Sequence, residues 1–133
     1  MGKIERFEDI EAWKKARVLV RDIYNICNID QYKRDYNLVD QTRRAAVSIM
    51  ANIAEGFARR TKREFINFLG IAHGSAAELQ SHLYIALDQK HITRANFNSL
   101  YKNVEEVSKM IQGFINYLKT LKFTNSKTLK LQN

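Results

Sequence analysis

The stretch QTRRAAVSIMANIAEGF, residues 41–57, decides how the rest of the chain is read. Wound as a helix at about 100° per residue, it gathers Val39, Ala46, Met50, Ile53 and Phe57 into one apolar stripe. Gln41, Arg44, Ser48, Asn52, Glu55 and Arg59 fall on the opposite side. An ordinary surface helix carries long charged residues there. This one carries Ser48, Asn52 and Glu55 beside the small Ala45 and Ala51. Two readings fit that pattern. One is a solvated face of modest polarity. The other is a second buried face, where helices approach closely and hydrogen bonds set the register.

Outward from this stretch, the same period continues in both directions. Toward the amino terminus, Ile10, Trp13, Val20, Tyr24 and Cys27 recur at helical spacing, with Ala16 and Ile23 beside them. That predicts a helix over about 8–28, with Glu8 and Asp9 in the first turn, where negative charge favours the macrodipole. Phe7 is placed to fold back as a staple. Residues 29–36 break the period and read as a connection. Asn37 followed by Asp40 starts the second helix, 37–58, with Asn37 as its cap.

Thr61 with Glu64 three residues on fits a capping box and opens a third helix over 62–90. Its stripe is Phe65, Phe68, Leu69, Ala72, Ala76, Leu79, Leu83 and Ala86. Gly70 and Gly74 share another face with Ala77. Each glycine in a helix interior costs about 1 kcal/mol relative to alanine, which points to close approach by another helix backbone. Thr93 caps a fourth helix over 94–120, carrying Phe97, Leu100, Tyr101, Val104, Ile111, Phe114, Ile115 and Leu118. Four long amphipathic helices with short connections predict an all-α, up-down-up-down antiparallel four-helix bundle. It forms one domain over residues 1–121. Residues 122–133, polar and basic, are expected to be a disordered tail.

Composition bounds the function. Lysine and arginine total 22 against 14 acids, a formal charge of +8. Polyanion partners are favoured by that balance. There are no prolines and five glycines, which suits long helices. No apolar run is long enough to span a bilayer, and no membrane partner is expected. The acids near the amino terminus replace the apolar region of a signal peptide, and the single Cys27 excludes an intrachain disulfide. A reducing cytoplasm is the expected setting.

Catalytic and metal motifs do not assemble. A di-iron bundle needs Glu-x-x-His on two helices, and the nearest match is Glu78 with His82, one residue too far apart and present once. His73, His82 and His91 are spaced so that successive residues fall on opposite helix faces. The arginine-to-histidine spacing of helical ribonucleases is absent. There is no phosphate loop, nucleophile elbow or Cys–His pairing. No enzyme activity, metal or cofactor is therefore expected.

What remains is basic surface. Arg59, Arg60, Lys62 and Arg63 cluster at the turn between the second and third helices, and Lys33 and Arg34 lie in the first connection. Lys119, Lys122, Lys127 and Lys130 load the carboxyl end. These runs read either as solvated charge or as phosphate contacts. Arg59, Arg60, Lys62, Arg63, Lys33 and Arg34 are the candidate nucleic-acid-binding residues. Aromatics do not interleave with them, Phe57 and Phe123 excepted.

The run Gln41-x-x-Arg44-Ala45-Ala46-x-Ser48-Ile49-x-x-Asn52-Ile53-Ala54-Glu55-Gly56 closely resembles the bacterial four-helix-bundle proteins encoded in 23S rRNA intervening sequences, the S23 ribosomal protein-like family. The resemblance begins at Phe7, Ile10 and Trp13. It continues through Phe65, Phe68, Leu69, Ala72, Gly74, Ser75, Glu78 and Leu79, covering about residues 7–118. The first connection departs from the family, which often has a proline there. The resemblance implies a homo-oligomer, a pentameric ring, and kinship with the basic accessory proteins of diversity-generating retroelements, which bind nucleic acid and a reverse transcriptase. The glycine face of the third helix, with Ser75 and Glu78 nearby, offers a surface for the second helix's polar stripe to pack against. The expected structural polar network is Arg44, Ser48, Asn52, Glu55, Ser75 and Glu78. The leading functional expectation is a non-enzymatic, oligomeric RNA- or DNA-binding protein. The alternative is a ring-forming scaffold that recruits a protein partner and uses its charge for solubility.

Overall fold

The structure, a computed structural model, describes residues 4–121. A 3-10 turn at Phe7–Asp9 leads into α1 (Glu11–Cys27), a single-turn α2 (Asp30–Lys33), α3 (Tyr36–Phe57), α4 (Lys62–Asp88) and α5 (Arg94–Thr120). The four long helices pack in cyclic order: α1 on α3, α3 on α4, α4 on α5, and α5 back on α1. This is the expected antiparallel four-helix bundle, and α3 with α4 is its most extensively packed pair. The expected carboxyl-terminal tail lies outside the described residues.

The element starts show what local chemistry the pattern missed. The first long helix begins at Glu11 because Asp9 closes the preceding turn, its Oδ2 accepting the N–H groups of Glu5 (3.0 Å) and Arg6 (3.2 Å). Ile10 is then extended, and the Phe7 ring turns back edge-on against Trp13 at 5.0 Å. The cap of α3 is Asp35, not Asn37: the Leu38 N–H donates to Asp35 Oδ1 at 3.3 Å. Asn37 is already helical, and its side chain accepts from Gln41 Nε2 at 3.0 Å instead. Thr61 and Thr93 cap α4 and α5 as their positions suggest, accepting from Glu64 N–H (3.1 Å) and Asn96 N–H (3.0 Å). At the end of α4, Lys90 takes a left-handed φ of 62° and His91 N–H returns to the Ala86 carbonyl at 2.8 Å.

The core runs along small residues. Ala12, Ala16, Leu19, Ile23 and Cys27 are the buried line of α1, whereas Tyr24 is 43% exposed. In α3 the line is Thr42, Ala45, Ala46, Ile49 and Ile53, while Met50 and Phe57 are half-buried. Both expected stripes thus face the core, Tyr24 alone standing out of it, and the centre of each buried line is shifted toward the small residues. Alanine on the contact line lets helix axes come close, and bulkier side chains then seal the flanks. In α4 and α5 the expected stripes lie inward, with Phe68 and Tyr101 at their edges.

The glycines divide sharply. A Cβ on Gly56 would stand 2.8 Å from Phe68 Cβ, 2.9 Å from Phe65 Cδ1 and 3.3 Å from the Phe65 carbonyl oxygen. Glycine there allows α3 and α4 to converge just before their turn. Gly70 and Gly74 have nothing within 4 Å of a Cβ, so the expected close helix approach is not made by this chain's own helices.

Candidate nucleic-acid interface

The turn between α3 and α4 presents Arg59, Arg60 and Arg63 as exposed side chains, with Lys62 half-buried beside them. An aromatic column underlies it. Phe57 meets Phe65 edge-on at 6.0 Å, and Phe65 meets Phe114 of α5 at 5.4 Å. Phe68, held against Gly56, carries the Arg59 guanidinium 4.5 Å above its ring. Arg59 Nη2 also pairs with Glu55 Oε1 at 3.2 Å. Lys62 Nζ donates to the Leu121 carbonyl at 2.7 Å, tying the turn to the end of α5. Among the described residues, Arg60 and Arg63 make neither a hydrogen bond nor an ion pair. The aromatic support under Arg59 was not evident in the sequence, although Phe65 and Phe68 stand within two turns of these bases.

The six candidate bases do not form one surface. The His91 Nε2–Asp35 Oδ2 contact of 3.0 Å ties the first connection to the α4–α5 turn, so Lys33 and Arg34 lie at the opposite end from Arg59–Arg63. Between the two groups runs α3, whose 22 residues span about 33 Å. Lys90 and Arg94, not singled out by the sequence reading, share the end with Lys33 and Arg34. The α3–α4 end also holds acids from the amino-terminal turn. Two of these are paired locally: Glu8 with Arg6 at 2.9 Å and Glu11 with Lys14 at 2.9 Å.

The polar stripe of α3 yields a smaller network than expected. Ser48 Oγ and Ser75 Oγ are 2.8 Å apart, and Asn52 Nδ2 donates to the Ser48 carbonyl (2.8 Å) and Oγ (3.0 Å). Ser75 is buried, while Ser48 and Asn52 are half-buried. Arg44, Glu55 and Glu78 stay outside this network. They project past the α3–α4 seam into solvent and pair along their own helices: Arg44 with Asp40 (2.9 Å), Glu55 with Arg59, and Glu78 with His82 (3.4 Å).

A second polar cluster, absent from the sequence reading, locks the other end. Thr42 Oγ1 donates to the Leu38 carbonyl at 2.7 Å, so it accepts from the Tyr32 hydroxyl at 2.9 Å. Both residues are fully buried, and burial raises the Tyr32 phenol well above its usual range. Cys27 lies beside them, its thiol also pushed up by burial. The Tyr32 ring stacks on His91 at 5.5 Å. Asp35 is held below the usual carboxylate range by His91 and by the Leu38 N–H it caps.

Among the described residues, no three His, Cys, Asp or Glu side chains stand together as a metal site. No helix of the structure is long and apolar enough to cross a membrane. An apolar groove of about 490 Å³ lies between the 3-10 turn and α5 and is lined by Ile4, Ile10, Met110, Phe114 and Tyr117 with Asp9 and Glu11 at its rim.

What this geometry defines is a basic helical-bundle protein assembled around a short polar α3–α4 seam. The sequence model of the 23S rRNA-intervening sequence protein family matches residues 8–113, and the chain belongs to that family. It is also similar to a crystal structure of a protein with unknown function from the S23 ribosomal protein family of Bacteroides thetaiotaomicron. The two share 26% identity over 78% of this chain and 97% of that one, with a TM-score of 0.73. No curated protein matches the chain.

Proposed function

We propose that the protein is a non-enzymatic, oligomeric nucleic-acid-binding protein of the cytoplasm that holds phosphates of RNA or DNA at its α3–α4 turn. The observation that carries this reading is the state of Arg60 and Arg63: exposed, and without hydrogen bond or ion pair among the described residues. Such a guanidinium can take a phosphate in bidentate fashion without first giving up a protein partner. Arg59 adds a third guanidinium steadied over Phe68, and the chain's +8 charge favours encounter with a polyanion.

Fluorescence anisotropy with a structured RNA and a duplex DNA tests the proposal. The wild-type chain should bind at low salt and weaken steeply as salt rises. The Arg60→Glu/Arg63→Glu pair should lower affinity about tenfold or more and flatten the salt slope by about two. Absence of low-salt binding by the wild type, or wild-type affinity in the double variant, would overturn it.

A further inference from the structure

We propose that the segment following Leu121, residues 122–133, is the occupant of the apolar groove between the 3-10 turn and α5. The proposal is independent of what the arginines bind.

The groove opens where that segment starts. Met110, Phe114 and Tyr117 form the wall that α5 gives the groove, and Leu121 continues their helical row at i, i+4, i+7 and i+11. There the helix stops. Leu121 is extended, with φ −81° and ψ 144°, and its carbonyl accepts from Lys62 Nζ at 2.7 Å, which fixes the point of departure. Back along α5 from Leu121 to Met110 is about 16 Å, a span that an extended chain covers in about five residues. Residues 122–133 are therefore long enough to return over the whole groove. Gly113 lines it too, and no atom stands within 4 Å of a Cβ built there. A helix-interior glycine costs about 1 kcal/mol relative to alanine, and the bundle's own packing makes no use of the missing side chain. A length of chain laid across the groove can.

Charge selects the same occupant. The chain carries +8, yet residues 4–14 set Glu5, Glu8, Asp9 and Glu11 against only Arg6 and Lys14. Both of those bases are already paired, Arg6 with Glu8 and Lys14 with Glu11, each at 2.9 Å. Residues 122–133 have the complementary composition. They hold Lys122, Lys127 and Lys130, no acid, and the apolar Phe123, Leu129 and Leu131. Apolar walls under an acidic rim suit such a segment on both counts. As part of the same chain it also meets the groove at a high effective concentration, which a separate peptide would have to match. Docked there, its lysines offset the carboxylates that share this end of the bundle with Arg60 and Arg63.

Paramagnetic NMR on the full chain tests the proposal. A nitroxide is attached at Ser126→Cys, and because Cys27 is fully buried the reagent reaches only the introduced thiol. The expected result is strong broadening of the Ile4, Ile10 and Met110 methyl signals, with Ile71 and Ile85 on the outer side of α4 left sharp. In Phe123→Ser/Leu129→Ser/Leu131→Ser the relaxation enhancement in the groove should fall about tenfold or more, as loss of even one buried apolar side chain predicts. Gly113→Gln, which fills the groove, should act in the same direction. The methyl spectra report whether each variant is folded, and if Gly113→Gln is not, the triple variant decides. Groove methyls no broader than Ile71 and Ile85, or broadening that survives the triple variant, would overturn the proposal. Mixing isotope-labelled chains without nitroxide and unlabelled chains with it should leave the groove methyls sharp. Full broadening in that mixture would assign the groove to another copy's segment and overturn the proposal as well.

Discussion

The two ends of this bundle are closed by different chemistry. At the α3–α4 turn, closure is steric: Gly56 admits Phe65 and Phe68, and an aromatic column continues to Phe114. At the other end, closure is polar: Tyr32 reaches Thr42, and His91 reaches the aspartate that caps α3. The consequence is functional. Where apolar packing holds the turn, Arg60 and Arg63 make no hydrogen bond or ion pair among the described residues. Where hydrogen bonds hold the loops, the bases Lys33, Arg34, Lys90 and Arg94 stand beside Asp30, Asp35 and Asp88, and the carboxylate of Asp35 is already engaged. This difference is what favours the first end in the proposed phosphate-binding role, although both ends carry several positive charges and acids.

This contrast can be broken most forcefully at Gly56. Its replacement by alanine gains up to about 1 kcal/mol of helix propensity. It also drives a methyl group to within 3 Å of Phe68 Cβ and Phe65 Cδ1, and neither contact is with the far end of a flexible chain. Overpacking should win, with a net loss of about 1–3 kcal/mol in urea unfolding. A Gly56→Ala protein as stable as wild type would show that the turn is not sterically closed. A smaller loss is expected at the other end. Tyr32→Phe deletes a buried hydrogen bond while Thr42 keeps its bond to the Leu38 carbonyl, and should cost about 1 kcal/mol in the same assay.

The smallest effect is a pH dependence confined to the polar end. The folded-state pKa of Asp35 is depressed, so its contribution is complete above the ordinary aspartate value near 3.8. It is lost as pH falls through the depressed value below that. Asp35→Asn keeps an acceptor for the Leu38 N–H but cannot titrate. Its stability should therefore fall less steeply than wild type as pH drops below about 4 in acid-unfolding curves. Parallel curves for the two proteins would remove Asp35 from the account.

How much of the candidate site was legible beforehand depends on range. Arg59–Arg63 are neighbours in sequence, and a capped helix start at Thr61 places them on a turn whatever the rest of the chain does. Lys33 and Arg34 could be seen as basic, but the tie that sets them with Lys90 and Arg94 joins residues 56 positions apart. The Ser48–Ser75 bond spans 27 positions, and both serines stand among the six residues expected in the network, but the sequence does not pair them. Arg44, Glu55 and Glu78 matched the stripe by angle alone. They were lost from the network because each has an oppositely charged or histidine partner four residues away on its own helix.

The stretch from Gln41 to Phe57 marks the boundary between the two kinds of information. By itself the sequence determined that this stretch is a helix, that three more helices of similar length accompany it, and that short connections make them antiparallel. These follow from local periodicity, caps and loop length. Only the tertiary structure decided which way the helix is turned. Its buried line adds Leu38, Thr42, Ala45 and Ile49 to the expected Val39, Ala46 and Ile53, and leaves Met50 and Phe57 half-buried at its edge. Rotation about a helix axis is set by the partners that must fit against it. Alanines close to α1 and Gly56 close to Phe65 and Phe68 fix that fit, and no period within a single helix encodes it.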